Sequence, residues 1–441
     1  MNPKQAAWYA LAVLFLINAL NFFDRQIIGA VGEPIRKEFS LSDSALGALN
    51  TAFTLLYAFV GLPLGRLADK HSRKKILAIG VFLWSLMTAG SGLARNFWQI
   101  FVMRLGVGVG EATCAPAATS LIGDYFPTEK RAKAMSVFML GLPVGLALSF
   151  AVSGPVAKNH GWRAAFLVAG IPGLLCVLAV LFLKEPERGM VESVQVGLKK
   201  REGSVFRLIL TTPTMIWLIL SGALHNFNMY ALGGFITPYL MRHHRLDIAE
   251  ANYVAMIVYG MLGAPGLLLG GFIGDWAKRK RPDGALLIAA LAILISVPLF
   301  FFSIGVPGGE YVKFSILIGA SCALMYFYYS IVYSTISDVT EPALRGTAMA
   351  LYFLAMYFLG ASLGPFIIGL VSDYFTQQAA LAAGVTEMTA DALEPFRAAG
   401  LRSAMYLVPV LSTLLTLVLF AASRTVKADV EKIQNWMRGE S

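Results

Sequence analysis

The sequence predicts an all-α integral membrane protein: twelve transmembrane helices in two pseudo-symmetric six-helix bundles. Three observations predict it. The 441 residues are 57% hydrophobic and only 14% charged, where a soluble domain carries roughly a quarter charged residues. Apolar runs of membrane-crossing length recur along the whole chain. Basic residues gather in short clusters between those runs, such as Lys70–Lys75 and Lys278–Arg281, as membrane topology requires.

The mean hydropathy is +0.66, and a single aqueous core stops growing near roughly 250–300 residues. Lipid as the solvent removes that limit. The net charge of +10 is therefore read as a topology signal, and nucleic-acid binding is set aside. Cys114, Cys176 and Cys322 each sit in an apolar run without CxxC spacing, so they are read as small buried hydrophobes, not disulfides or metal ligands. The first apolar run continues past Phe23 with no cleavage pattern, so it is read as a retained span.

Spans are expected at 7–31, 44–66, 76–94, 97–124, 132–157, 163–183, 208–240, 251–274, 284–304, 313–338, 343–372 and 401–423. With both termini cytoplasmic, 24 of the 36 Lys and Arg fall on the side of the termini and 10 on the other, with Arg25 and Arg104 inside spans. That imbalance supports an even span count with both ends inside. The organisation that follows is a first bundle over 1–183, a cytoplasmic connection over 184–207, a second bundle over 208–423 and a cytoplasmic tail over 424–441. The tail places Val426, Val430, Ile433 and Met437 on one stripe. It reads either as an amphipathic helix lying on the membrane surface or as a frayed end. The outer loop 376–400 is alanine-rich and compatible with helix.

Two features recur at matching places in the halves. Gly65, Asp69 and Arg73 are spaced by four after span 2, as are Gly271, Asp275 and Arg279 after span 8. Asp124 precedes Arg131 by seven residues, as Asp338 precedes Arg345. The offsets, 206 and 214, indicate a duplicated six-span unit. A rim aspartate can accept hydrogen bonds from the N-terminus of a neighbouring helix. The functional reading is a cytoplasmic latch between halves, made in one conformation and broken in the other. The bland alternative is that these basic loops only fix topology.

The stretch GRLADKHSRKK (Gly65–Lys75) resembles the loop signature of the major facilitator superfamily, with Ser72 where that family usually has glycine. Arg104 followed by Gly108 and Gly110 resembles its fourth-helix motif, and Gly161-Trp162-Arg163 also fits. NFFDRQ (Asn21–Gln26) and KEPERG (Lys184–Gly189) resemble the Spinster branch. The resemblance implies a monomeric secondary transporter in a lipid bilayer, with a central cavity facing alternate sides and no cofactor. It also implies a small amphipathic substrate of lysolipid or sphingolipid-phosphate type. An exporter of drugs or small organic anions is the alternative. Short loops and termini point to a bacterial inner membrane.

Asp24, Arg25, Arg104 and Glu111 are ionisable residues inside spans, where each charge costs about 2.5–3.5 kcal/mol on insertion scales. Asp24 and Arg25 point about 100° apart on one helix. Span 1 can supply Asp24 to Arg104, or Arg25 to Glu111. Burial and a nearby arginine push a carboxyl's proton affinity in opposite directions, so Asp24 and Glu111 are read as proton-coupling residues. Arg25 and Arg104 are read as a charge network or headgroup ligands. A static ion network that fixes packing is the other reading. Asn21 extends the polar stripe of span 1. The second half offers polar aromatic stripes instead, Ser221, His225 and Asn228 in span 7 and Tyr326, Ser330 and Tyr333 in span 10. These are read as substrate-cavity residues, with helix packing as the alternative. The five histidines lack metal spacing, and no GxSxG or P-loop occurs. Enzyme and channel readings are set aside.

Overall fold

The computed structural model describes residues 2–187, 209–341 and 344–438. Most of the expected connection 184–207, and Pro342 at the expected start of span 11, lie outside the described residues. So do the side chains of Gly65 and Asp69.

Among the described residues there are twelve helical rods. They are α1 (Pro3–Glu38), α2 (Asp43–Lys70), α3 (Arg73–Ser91), α4 (Phe97–Glu111 and Cys114–Tyr125), α5 (Thr128–Met139 and Gly141–His160) and α6 (Trp162–Leu181). The second six are α7 (Pro213–His243), α8 (Ile248–Ala255 to Gly263–Lys280), α9 (Gly284–Gly305), α10 (Tyr311–Asp338), α11 (Arg345–Ala355 to Leu363–Ala382) and α12 (Leu407–Arg438). Ten stretches are long and apolar enough to cross a membrane. The other two rods have visible reasons for weaker signals. α3 opens on Arg73, Lys74 and Lys75, and α7 is buried along its length with Ser221, His225, Asn226, Asn228 and Thr237 inside the protein.

Helix packing repeats when six is added to each label. In the first half α1 packs on α5 and α6, α4 on α2 and α3, and α3 on α6. In the second α7 packs on α11 and α12, α10 on α8 and α9, and α9 on α12. Between halves the main contacts are α2 with α11, α5 with α8, and α1 with α7. Close approach there depends on small residues. A Cβ on Gly47 would meet the Pro365 carbonyl, and one on Gly369 the Asp43 carbonyl.

Because the rod count is even, both chain ends lie at one end of the bundle, here called the terminal end; the other is the far end. Three elements run longer than expected. α1 continues to Glu38, carrying Glu33 and Arg36 into the protein. α11 continues to Ala382, using the alanines of the expected outer loop. The tail is not a separate surface helix: α12 runs unbroken to Arg438, and the Asp429 carboxylate accepts from Thr214 N (2.9 Å) at the start of α7. Of that stripe Val426 is buried and Val430 and Ile433 are half-buried.

α8 and α11 each contain a π-turn, Met256–Met261 and Met356–Ala361. Leu262 N bonds to Ile257 O (3.0 Å) and Ser362 N to Tyr357 O (2.9 Å), each five residues back. Such turns insert one extra residue into a helix and recur at functional sites.

Candidate functional site

The charged residues of α1 sit at mid-length and face two directions. Asp24 accepts a hydrogen bond from the Thr88 hydroxyl of α3 at 3.0 Å. Arg25 points the other way, donating from Nε to Glu111 Oε2 at 3.0 Å. Glu111 is placed by a break in α4, whose helix stops at Glu111 and restarts at Cys114. Arg25 also donates from Nη1 to the Tyr357 hydroxyl of α11 at 3.2 Å. Its guanidinium lies 4.3 Å from the Tyr57 ring centre and 4.8 Å from that of Phe22, a cation–π setting. The pairing chosen by the fold is thus Arg25 with Glu111.

Arg104 is fully buried (0% exposed) over the Phe53 ring at 5.1 Å. Among the described residues none of its guanidinium nitrogens has a hydrogen-bond partner. Asn21 Nδ2, Asp24 Oδ1 and Glu111 Oε1 are likewise buried without a partner among the described residues.

In the second half His225 stacks on Tyr328 with ring centres 4.0 Å apart and meets Tyr329 edge-on at 4.8 Å. Neither ring nitrogen has a partner among the described residues. Ser221 shares a hydrogen bond with the Tyr328 hydroxyl (2.7 Å), which reaches the Tyr352 hydroxyl (3.1 Å). Tyr333 packs against Tyr329, Tyr352 and Phe353. Asn228 does not join this group: its Nδ2 donates to Ser412 of α12 (3.0 Å). Tyr326 and Ser330 turn to α8, donating to the carbonyls of Tyr259 (3.1 Å) and Leu267 (3.0 Å). The 326–330–333 stripe therefore serves largely as a helix seam. Sequence reasoning missed Tyr57, Asn226, Tyr329 and Tyr357; Asn226 takes the Tyr329 hydroxyl bond (3.0 Å). One signal was available for Tyr357: each π-turn begins nine residues before a proline, Met256 before Pro265 and Met356 before Pro365.

At the terminal end the described bonds of Arg73, Asp124, Arg131, Asp338 and Arg345 run within their own halves. Arg73 pairs with Asp124 and with Glu185 (3.4 Å). Glu185 also accepts from Ser72 Oγ and from Arg73 N at 2.7 Å. Partial burial opposes ionisation of Glu185, yet these bonds prevail and hold its carboxyl below the ordinary range. Arg131 donates to Gly123 O (2.7 Å), Lys278 pairs with Asp338, and Arg345 donates to Ser337 O (2.9 Å). Asp275 and Arg279 are exposed.

Among the described residues, the ion pairs between halves lie at the far end. Arg242 of α7 grips Glu33 (2.6 Å) and Asp43 (2.8 Å) of the first half, and Arg36 pairs with Glu33 (2.9 Å) and with Glu394 (2.7 Å). Asp373, near the middle of the second segment of α11, accepts from Asp43 N (2.9 Å) and Ser44 N (2.8 Å) at the start of α2. Ser42 Oγ takes Ala45 N (3.1 Å), so three of the orphan amides of that helix end are satisfied. A carboxylate on a helix N-terminus was expected at the cytoplasmic rim; here it closes the opposite one.

Comparison with known proteins accords with this geometry. Residues 14–365 match the Major Facilitator Superfamily. The protein spinster homolog 1 of Xenopus laevis is 30% identical over 379 residues, covering 82% of this chain and 72% of the relative. An MFS-type efflux pump of Mycolicibacterium smegmatis is 27% identical, covering 85% and 86%. A sphingosine-1-phosphate transporter of Xenopus tropicalis is 27% identical, covering 85% and 76%. The crystal structure of a bacterial homolog of the human lysosomal transporter Spinster, inward-facing and unoccupied, superposes with a TM-score of 0.86 at 29% identity, covering 96% and 98%. The chain belongs to the Major Facilitator Superfamily and, within it, to the Spinster-like transporters: it is a membrane carrier, not an enzyme.

Proposed function

We propose that this protein is a proton-coupled secondary carrier that moves an amphipathic lipid phosphate, of lysolipid or sphingolipid type, by alternating access. It works as a monomer in a bacterial cell membrane with both termini cytoplasmic. The observation that carries the reading is the mid-membrane charge site where the halves meet: Arg25 bonded to Glu111 and to Tyr357 of the other half, beside Asp24 and a partnerless Arg104. Asp24 and Glu111 each have one oxygen engaged and one free among the described residues. A proton taken up by Glu111 frees Arg25 for an anionic headgroup, and one taken up by Asp24 removes the negative charge beside the partnerless Arg104. His225, Asn21, Asn228, Tyr326, Ser330 and Tyr333 are the residues proposed to meet the rest of the ligand, although Asn228, Tyr326 and Ser330 bond to neighbouring helices in this conformation. The latch residues Gly65, Asp69, Arg73, Asp124, Arg131, Asp275, Arg279, Asp338 and Arg345 would rearrange when the terminal end closes. The relationship to a sphingosine-1-phosphate transporter supports the substrate class.

An exporter of drugs or organic anions is the second reading, favoured by the relationship to the mycobacterial efflux pump. Purified protein in liposomes separates the two. Counterflow of a radiolabelled lysophospholipid or sphingoid phosphate, competed by other lipid phosphates and not by cationic dyes, is the expected result. Counterflow of dyes alone would overturn the lipid assignment.

A further inference from the structure

The two π-turns differ in what holds them. In α8 the turn packs on Phe150 and Ala147 of α5 but takes its side-chain hydrogen bond from its own half, where the Tyr326 hydroxyl donates to Tyr259 O at 3.1 Å. In α11 the turn is held from the other half at both ends. Its second residue, Tyr357, receives Arg25 Nη1 at 3.2 Å. Ser362, whose amide closes the turn on Tyr357 O, accepts the Thr51 hydroxyl of α2 at its carbonyl. The Tyr357 ring also meets Tyr57 edge-on at 5.2 Å. A π-turn relaxes to ordinary helix by shifting one residue, so a contact that holds it also sets the register of the helix beyond it.

We propose that Tyr357 is the positioning residue through which the Arg25–Glu111 pair of the first half acts on the π-turn of α11. This rests on the reading above that the pair changes state during transport. While Glu111 holds Arg25 Nε, the guanidinium is oriented to donate Nη1 to Tyr357, and the turn is kept as seen here. When Glu111 releases Arg25, the guanidinium turns away and Tyr357 loses its donor. The turn is then free to relax, carrying with it the far segment of α11, whose Asp373 caps α2. The charge site and the far-end seal are thereby joined through one helix.

A double-mutant cycle tests this without requiring any transported ligand. Spin labels on Lys37→Cys and Glu387→Cys, exposed positions at the far end of the two halves, report the distance between halves; Cys114, Cys176 and Cys322 are buried. Glu111→Gln, Tyr357→Phe and the double variant are compared in the full-length protein. Tyr357→Phe keeps the ring and removes only the hydroxyl. The expected result is that Glu111→Gln and Tyr357→Phe each shift the ratio of closed to open distances and that Glu111→Gln adds no further shift in the Tyr357→Phe background, a non-additivity of roughly threefold or more. Independent effects of the two substitutions, or a Glu111→Gln variant that moves nothing, overturn the proposal. Glu111→Asp replaces Glu111→Gln if the latter does not fold. A wild-type ratio indifferent to pH would sink the proton reading instead, while the cycle still decides on Tyr357.

Discussion

The two ends of this protein use the same chemistry with opposite partners. At the far end Arg242, Arg36 and Asp373 reach across to the other half. At the terminal end Arg73, Lys278 and Arg345 bond inside their own half. The close approaches of α2 and α11 run from Asp43 with Gly369, through Gly47 with Pro365, to Tyr57 with Tyr357. The difference teaches that, among the described residues, the charged clasps between the halves sit at the far end.

Removing the largest clasp should have the largest effect. Arg242→Ala leaves Glu33, 1% exposed, to Arg36 alone and Asp43, 0% exposed, to Ser372 and a more distant Arg397, and breaking a buried ion pair costs about 3–5 kcal/mol. The far end should open. A cysteine placed at Asn50, in the seam beside Gly234, should then react with an impermeant maleimide many times faster than in the parent; unchanged protection would remove Arg242 from the seal. Asp373→Asn keeps one of the two acceptors on the α2 amides and loses the charge, so its cost should be smaller, about 1 kcal/mol, read by the same reagent. Asp373→Ala should exceed it.

At the terminal end the carboxyl of Glu185 is held below its ordinary range. The sign follows directly: a depressed acid stabilises the folded state above the ordinary carboxylate range, and that contribution fades as pH falls through the lowered value. Thermal melts of the parent and Glu185→Gln in detergent should therefore differ near neutrality and converge in acid. A difference that grows in acid would contradict the assignment. Smallest of all is Lys158→Ala. Lys158 and Asp247 bridge the halves at the far end (2.7 Å), but both are well exposed, and an exposed pair should alter the maleimide rate by no more than roughly twofold.

The repeat was legible in the sequence because Asp69/Asp275 and Asp124/Asp338 keep their spacing over half the chain, and the packing repeats in the same register. The charge site was legible because an arginine beside an aspartate in an apolar run is costly to insert and must find partners or water inside the bundle. The far-end seal was not. Glu33 and Arg36 lie past the last apolar residues of span 1, where a charged run reads as loop, and only the unbroken helix to Glu38 brings them inside. Asn228 and Ser330 misled for a related reason: periodicity assigns residues to one face of a helix without saying which neighbour that face meets. Asn228 meets Ser412, and Ser330 meets the Leu267 carbonyl.

The most direct test of the account is proton movement through Asp24. In liposomes holding the purified protein, an imposed pH gradient should drive accumulation of a lysophospholipid or sphingoid phosphate. Asp24→Asn should abolish that accumulation while leaving exchange of labelled for unlabelled substrate nearly intact. Gradient-driven accumulation undiminished in Asp24→Asn would contradict the account.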